Sequence, residues 1–474
     1  MRPRCVIVVG AGVSGLATAH ALLRASGSDA PPMDVTIFEA SGRAGGKLRT
    51  IEVGGLPVEA GADSFVVRKP WAVDLCRELG LQDQVVIPAV SGAFVWTRGG
   101  LVPFPDRTAF GIPSDIGDLL RWKGLTRRPK LRALGDLFLP AAKGTEDESL
   151  ARLLRRRLGP DAGRVLVEPL LAGLHAGDPE RLSVAATFPE LRKWELDHGS
   201  LIRGAKAAIG AAGEERGRQP MFATVWGGLG RLVSRLVQDI GADRVRLDRP
   251  VSAIRTSELG FDVESPDSVE RADAVVLSTP AFEAARLLGE ANPDAAGELA
   301  TIRYASTAVV ILTYPPGTGG RLPMEGTGFV VPSGDRTITA CTWVSRKWPQ
   351  DAYGDRAVIR CFVGRAGHER ALELTDEALI EASEREIEES TRIGERAEAA
   401  RVVRWNRSMP QYEVGHLERL ARVATALERT PGLVLTGAAY GGIGIADCVR
   451  QGAEAAQRTR QHLAGEREEM RWTS

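Results

Sequence analysis

Two kinds of apolar pattern alternate at the start of the chain. Residues 5–9 (CVIVV) form an unbroken run of small and β-branched side chains, the mark of a strand covered on both faces of a parallel sheet. From Val13 to Arg24 apolar residues recur at helical spacing, and VTIFEA (Val35 to Ala40) predicts a second strand. The same order returns near the other end, where LVLTGAAYGGIGIADCVRQGAEAAQ (433–457) reads as a buried strand, a glycine-rich turn and a long helix of small residues. In between, residues 106–210 are mostly helical in period, and 145–159 predict a helix with acids in its first turn and arginines later, as the helix dipole favours. A helix around Gly230 to Asp239 leads into strands at 244–256, at FDVES and at ADAVVLSTP (272–280), and residues 304–365 read as strands of an antiparallel sheet.

Composition narrows the function classes. Sixty-one basic residues balance sixty-one acidic ones in 474, so no global field recruits nucleic acid. The five cysteines contain no CxxC pair and the six histidines show no metal-ligand spacing, which argues against a disulfide framework or a metal enzyme and for reduced cytoplasmic thiols. No apolar stretch reaches the roughly 18–20 residues that span a bilayer.

The segment Gly10-Ala11-Gly12-Val13-Ser14-Gly15 joins the first strand to the first helix. Gly10 permits a tight turn, Gly12 lets the main chain approach a pyrophosphate, and Gly15 lets helix and strand pack closely. The helix then points its N-terminal N–H groups at the phosphates. Glu39 ends the second strand, 24 residues beyond Gly15, where a carboxylate accepts ribose hydroxyls and repels a 2′-phosphate. This order of elements predicts dinucleotide binding. The next residues, SGRAGGKLRT, place Arg43, Gly46 and Lys47 in a second glycine-rich, basic turn that resembles the signature of the flavin amine-oxidase superfamily, which makes FAD the expected cofactor.

Longer motifs sharpen that resemblance. GADSFVVRKP (61–70), PLLAGLHAGDPERLSVAATFPEL (169–191), ITACTWVSRKWP (338–349), RCFVGRAG (360–367), RWNRSMPQYEVGH (404–416) and GGIGIADCVRQG (441–452) are similar to the oxygen-dependent porphyrinogen oxidases of bacterial haem synthesis, nearest to the coproporphyrin-forming type. The resemblance implies an α/β fold: a discontinuous Rossmann-like FAD-binding domain in residues 1–90, 216–300 and 401–474, a helical and substrate domain, also the candidate for membrane contact, in 91–215 and a mixed-sheet substrate part in 301–400. It implies FAD contacts at Gly10 to Gly15, Glu39, Ala40, Arg43, Gly46, Lys47, the turn Gly61-Ala62-Asp63-Ser64, Val251, Trp405 and Ile443-Gly444-Ile445. Two positions depart from the family pattern: His175 stands where Tyr or Phe is expected, and Ala446 where Pro is frequent.

The implied reaction removes six electrons from a porphyrinogen in three rounds, with dioxygen as final acceptor and hydrogen peroxide as product. Hydride abstraction belongs to the flavin, so no side-chain acid or base is assigned. Coproporphyrinogen carries four propionates, which calls for a broad apolar pocket with cations at its rim. Arg68 and Lys69 are the candidate cations, and Leu174 and His175 the candidate lining. Protoporphyrinogen IX, an amine, or a non-catalytic carrier role are the alternative readings. The cluster RWKGLTRRPKLR (121–132) reads either as a solvated helical face or as a basic surface, with Trp122, for peripheral contact with anionic lipid. A ferrochelatase-type enzyme is the implied transient partner.

Overall fold

The structure is a computed structural model that describes every residue except 1–2, 25–32, 143, 145, 218–220, 259, 333, 335, 349 and 473–474. Its first sheet has five parallel strands. Arg4–Val9 lies between Met33–Phe38 and Ala274–Leu277, with Val245–Arg246 outside the former and Leu433–Leu435 outside the latter. Val6 and Val8 pack toward Leu16, Leu22 and Leu236, whereas Ile7 and Val9 pack toward Phe38, Ile254 and Leu288. Both faces of this strand are therefore buried, which accounts for its continuous apolar run. Strand order reverses on the two sides of Arg4–Val9, so the crevice beyond the carboxyl ends is a topological switch point, the place where open α/β sheets bind ligands. Helix Val13–Arg24 follows the first strand, and helix Ile445–Trp472 packs against it from the other end of the chain.

A second, mixed sheet has seven strands in the order Ala399–Pro410, Tyr304–Thr313, Val358–Val363, Ile338–Trp343, Gly328–Val330, Phe94–Thr97 and Gly100–Pro103. Neighbours are antiparallel except Gly328–Val330 with Phe94–Thr97. Its longest strand runs across residue 400, and two of its strands, Phe94–Thr97 and Gly100–Pro103, precede the segment of helical period.

The remainder of residues 91–215 is built on helices Leu150–Arg157, Glu168–His175, Pro189–His198 and Leu201–Gly217. The first of these corrects the sequence reading of 145–159. It starts at Leu150, where the Ser149 hydroxyl accepts the Arg152 N–H (3.3 Å) and caps the helix. Asp147 and Glu148 therefore precede the helix, where they hold the Ala185 N–H (3.2 Å) and Arg156 (2.6 Å), and Thr145 lies outside the described residues.

The basic cluster is also rearranged. Trp122 is buried with its indole N–H on the Pro103 carbonyl (2.6 Å), and Lys130 turns inward to the Leu120 carbonyl (2.7 Å). Arg132 caps the last carbonyls of the Leu150–Arg157 helix, reaching Arg156 (2.9 Å) and Arg157 (3.1 Å). Only part of this cluster is left to face a surface: Arg121, Lys123, Arg127 and Arg128 are exposed.

Arg157 and Asp136, both fully buried, organise the helical part. Arg157 donates to Asp136 Oδ1 (2.5 Å) and to the carbonyls of Asp136 (2.7 Å) and Gly199 (2.6 Å). Asp136 Oδ2 accepts the Ser200 hydroxyl (2.5 Å) and the Ile202 N–H (2.9 Å). Removing one partner of such a pair strands the other charge in the interior, so Asp136→Ala costs about 3–5 kcal/mol. A clearly lowered urea midpoint is the expected reading, and an unchanged midpoint would contradict it.

Candidate functional site

At the carboxyl end of the first strand, Gly10 adopts φ +103°, and a Cβ there would stand 2.9 Å from the Ser278 carbonyl oxygen. A Cβ at Gly15 would overlap the Gly10 carbonyl oxygen. Gly12 differs, because nothing lies within 4 Å of its would-be Cβ. Two of these glycines are therefore required by the protein's own packing, and the third faces open space at the helix N-terminus.

The second turn closes onto the first. Gly45 donates its N–H to the Ala11 carbonyl (2.8 Å), while Glu39 Oε2 accepts the Ala11 N–H (2.8 Å). Glu39 Oε1 holds the N–H (3.0 Å) and hydroxyl (2.7 Å) of Ser41, which leaves part of the carboxylate's acceptor capacity for a ribose. Arg43 braces the turn through the Gly46 carbonyl (2.5 Å), and Ala40 is exposed beside it. Lys47 points into the crevice next to Cys448. Burial lowers its pKa from the ordinary value, and its ammonium has no acidic or hydrogen-bonding partner among the described residues.

The turn Gly61–Ser64 packs on the Lys47 backbone, and Trp405 fixes its start by donating Nε1–H to the Ala60 carbonyl (2.8 Å). Asp63 is turned into a buried ionic cluster, accepting from Lys347 Nζ (2.8 Å) and the Ser64 hydroxyl (2.8 Å), with Arg360 at 3.4 Å. Burial alone would raise this carboxyl, yet Lys347 and Arg360 hold it below the usual carboxylate range. Arg360 also donates to the Gly61 carbonyl. Lys347 and Arg360 lie in motifs legible as family segments, but nothing in their spacing assigned them this support. Val251 is buried just ahead of strand Ala253–Ser257, and its carbonyl accepts Arg286 (2.9 Å).

Sequence reasoning missed two hydroxyls at the switch point. Thr279 Oγ1 and Thr436 Oγ1 lie just after Ala274–Leu277 and Leu433–Leu435, the two strands on one side of Arg4–Val9, are buried, and have no hydrogen-bond partner among the described residues. Ile443 and Gly444 lead into helix Ile445–Trp472, whose positive end faces the same crevice. Orphaned hydroxyls, an unpartnered ammonium and an open glycine thus converge on one side of the sheet, and all three suit an elongated anionic ligand.

The model of the flavin containing amine oxidoreductase family matches residues 13–459. The chain belongs to that family. It is 35% identical over 456 residues to the coproporphyrinogen III oxidase of Bacillus subtilis (strain 168), covering 95% of this chain and 96% of that protein. The coproporphyrinogen III oxidase of Staphylococcus aureus (strain NCTC 8325 / PS 47) is 31% identical over 465 residues, at 96% and 98% coverage. Among solved structures, one described as a protoporphyrinogen oxidase from Exiguobacterium sp. 255-15 shares 33% identity with a TM-score of 0.84, covering 97% of this chain and 99% of that one. Cyclohexylamine oxidase from Brevibacterium oxydans IH-35A, at 18% identity and TM-score 0.71 over 98% of this chain and all of its own, shares the fold. The protein is accordingly an FAD-dependent oxidoreductase of this family.

The residues present fit that cofactor. Gly12 leaves room for a pyrophosphate and Glu39 has acceptors for a ribose, while Lys47, Thr279 and Thr436 supply otherwise unmet donors.

The flavoprotein's candidate substrate residues differ in exposure and in partners. Lys69 is half-exposed and gives its ammonium to both carboxylate oxygens of Asp447 (2.8 and 2.7 Å), and Arg68 is exposed. Leu174 is exposed and His175 buried, its ring edge-on to Phe188 (5.6 Å) and tilted against Tyr412 (5.8 Å). Burial, with the neighbouring His416 ring, pushes His175 down to about 4, so it is neutral at pH 7.

Gly12→Ala and Gly15→Ala separate cofactor approach from packing. The first should leave the unfolding midpoint of FAD-free protein unchanged while weakening FAD binding at least about tenfold, because its methyl meets only the ligand. Gly15→Ala should lower that midpoint even without FAD. Equal FAD affinity for Gly12→Ala and wild type, measured by titration, would contradict this account.

Proposed function

We propose that this flavoprotein oxidises coproporphyrinogen III to coproporphyrin III with dioxygen, releasing hydrogen peroxide. The observation that carries the reading is likeness along nearly the whole chain to curated coproporphyrinogen III oxidases, joined to a switch-point crevice whose unmet donors suit FAD. The chemistry FAD supplies when bound is acceptance of a hydride and delivery of two electrons to dioxygen, three times per macrocycle. The chain's own part is to hold and orient. Gly10 to Gly15 and Glu39 anchor the nucleotide end, while Lys47 and the N-terminus of helix Ile445–Trp472 give a positive potential where negative charge accumulates on reduction.

Leu174 and His175 offer an apolar, uncharged wall, which suits a macrocycle with a hydrophobic body. Lys69 and Arg68 remain the proposed rim cations, with one refinement: a propionate reaching Lys69 competes with Asp447 for the same ammonium. The reaction is proposed to take place in the cytoplasm. No helix among the described residues is long and apolar enough to cross a membrane. Peripheral contact with anionic lipid is supported by the exposed side chains of Leu131 and Phe138, which stand 63% and 85% exposed near Arg127 and Arg128. Porphyrin transfer to a ferrochelatase-type enzyme belongs to the same proposal.

Aerobic turnover of both porphyrinogens by the purified holoenzyme tests the reading. Coproporphyrinogen should give the higher initial rate, with three peroxides formed for each porphyrin that becomes fluorescent. Faster turnover of protoporphyrinogen IX would move the assignment to that substrate, and rates no greater than autoxidation for both would reject it.

A further inference from the structure

Tyr412 is almost fully buried and sits where three parts of the molecule meet, just after the longest strand of the mixed sheet. Its hydroxyl donates to the Ala438 carbonyl (2.7 Å) and accepts the Gly442 N–H (3.0 Å), so a single oxygen bridges the glycine turn that leads into Ile443–Ile445. On the other side the turn is tied to the helix it precedes, by Gln451 through the Gly441 N–H (2.9 Å) and the Gly442 carbonyl (3.1 Å) and by Arg450 through the Gly441 carbonyl (2.7 Å). Gln451 therefore ties the turn to its own helix, and Tyr412 ties it to the segment that follows the mixed sheet.

The remaining contacts of Tyr412 run to the helical part. Its carbonyl accepts the Ser183 N–H (2.8 Å), its neighbour Gln411 donates to the His175 carbonyl (3.0 Å), and Arg181 grips Glu413 with two bonds (2.8 and 2.9 Å). The phenol ring stacks on His416, centroids 4.1 Å apart and planes at 17°, with the His175 ring at 5.8 Å on another side.

We infer that Tyr412 is a positioning residue: its hydroxyl clamps the Ala438–Gly442 turn at the crevice that would hold FAD and couples that turn to the helix carrying Leu174 and His175. The inference rests on the FAD reading of the crevice. Loss of the hydroxyl deprives the half-buried Gly442 N–H and Ala438 carbonyl of their shared partner and removes the side-chain link from the turn to Tyr412, which frees the turn to shift.

Tyr412→Phe keeps the ring and deletes only the hydroxyl. The FAD Kd, followed by flavin fluorescence on titration of the apoprotein, should rise about tenfold, the flavin midpoint potential should shift, and kcat should fall about tenfold with KM within about twofold of wild type. His416→Phe preserves an aromatic partner for the ring and should keep the wild-type Kd and potential. Wild-type Kd and potential in Tyr412→Phe would overturn the inference, even if its unfolding temperature fell, because that is the pattern of a purely structural role. Matching changes in both variants would trace the effect to packing and overturn it as well. A wild-type apoprotein that takes up no FAD would instead remove the cofactor reading on which the inference stands.

Discussion

The peptide group of Ala11 is held on both sides by chain that follows the second strand: Glu39 takes its N–H and Gly45 gives an N–H to its carbonyl, each at 2.8 Å. With those two bonds the phosphate loop and the basic turn become one surface, since neither can move without breaking a buried backbone bond. The arrangement demands glycine at 45, where φ is +102° and a Cβ would stand 2.8 Å from the Leu48 carbonyl oxygen and 2.9 Å from Val233. It also sets the direction of Lys47, two residues further on, into the crevice. A carboxylate that would otherwise be free to meet a ribose thus has a structural duty first, and the acceptor capacity left over is what the cofactor can use.

From that welded corner the rest of the site is assembled by long-range bonds rather than by local sequence. Arg360 and Trp405 from the mixed sheet, with Lys347 from the short helix Val344–Lys347, fix Gly61–Ser64, while Tyr412 reaches the C-terminal turn and Asp447 reaches Lys69. Asp63, Lys347 and Arg360 are largely buried together, so each depends on the others to remain charged. Such a junction resists sliding between the sheet that carries the crevice and the mixed sheet, because displacement would leave a buried charge without its partner. For a reaction that needs a bulky ring held against a flat cofactor, rigidity of this joint serves orientation directly.

How much of this was legible in the sequence follows from the range of each interaction. Gly10, Gly12, Gly15 and Glu39 were readable because the loop, its helix and the acid form one continuous strand–helix–strand unit, in which spacing stands for geometry. Thr279 and Thr436 were not readable, since a lone hydroxyl at a strand end has no periodic partner, and only the sheet order brings the two to the same end of the sheet as Gly10. Lys69 looked like a free rim cation because its partner is 378 residues away. Trp122 and Lys130 looked like surface groups because they stand in a basic run, yet a nearby backbone carbonyl claims each. The helix at Leu150 was begun too early because acids suit a first turn, and here Ser149 supplied the cap instead.

The central claim is that FAD is gripped at the switch point by both ends of the chain at once. Hydrogen–deuterium exchange of the protein with and without FAD tests it most directly. The account predicts slowed exchange together at Gly10–Gly15, at Glu39–Lys47, at Ser278–Thr279 and at Thr436–Ile445, the turns at the carboxyl end of the first sheet. Protection confined to the N-terminal segment, with residues 436–445 exchanging as fast as in FAD-free protein, would contradict it.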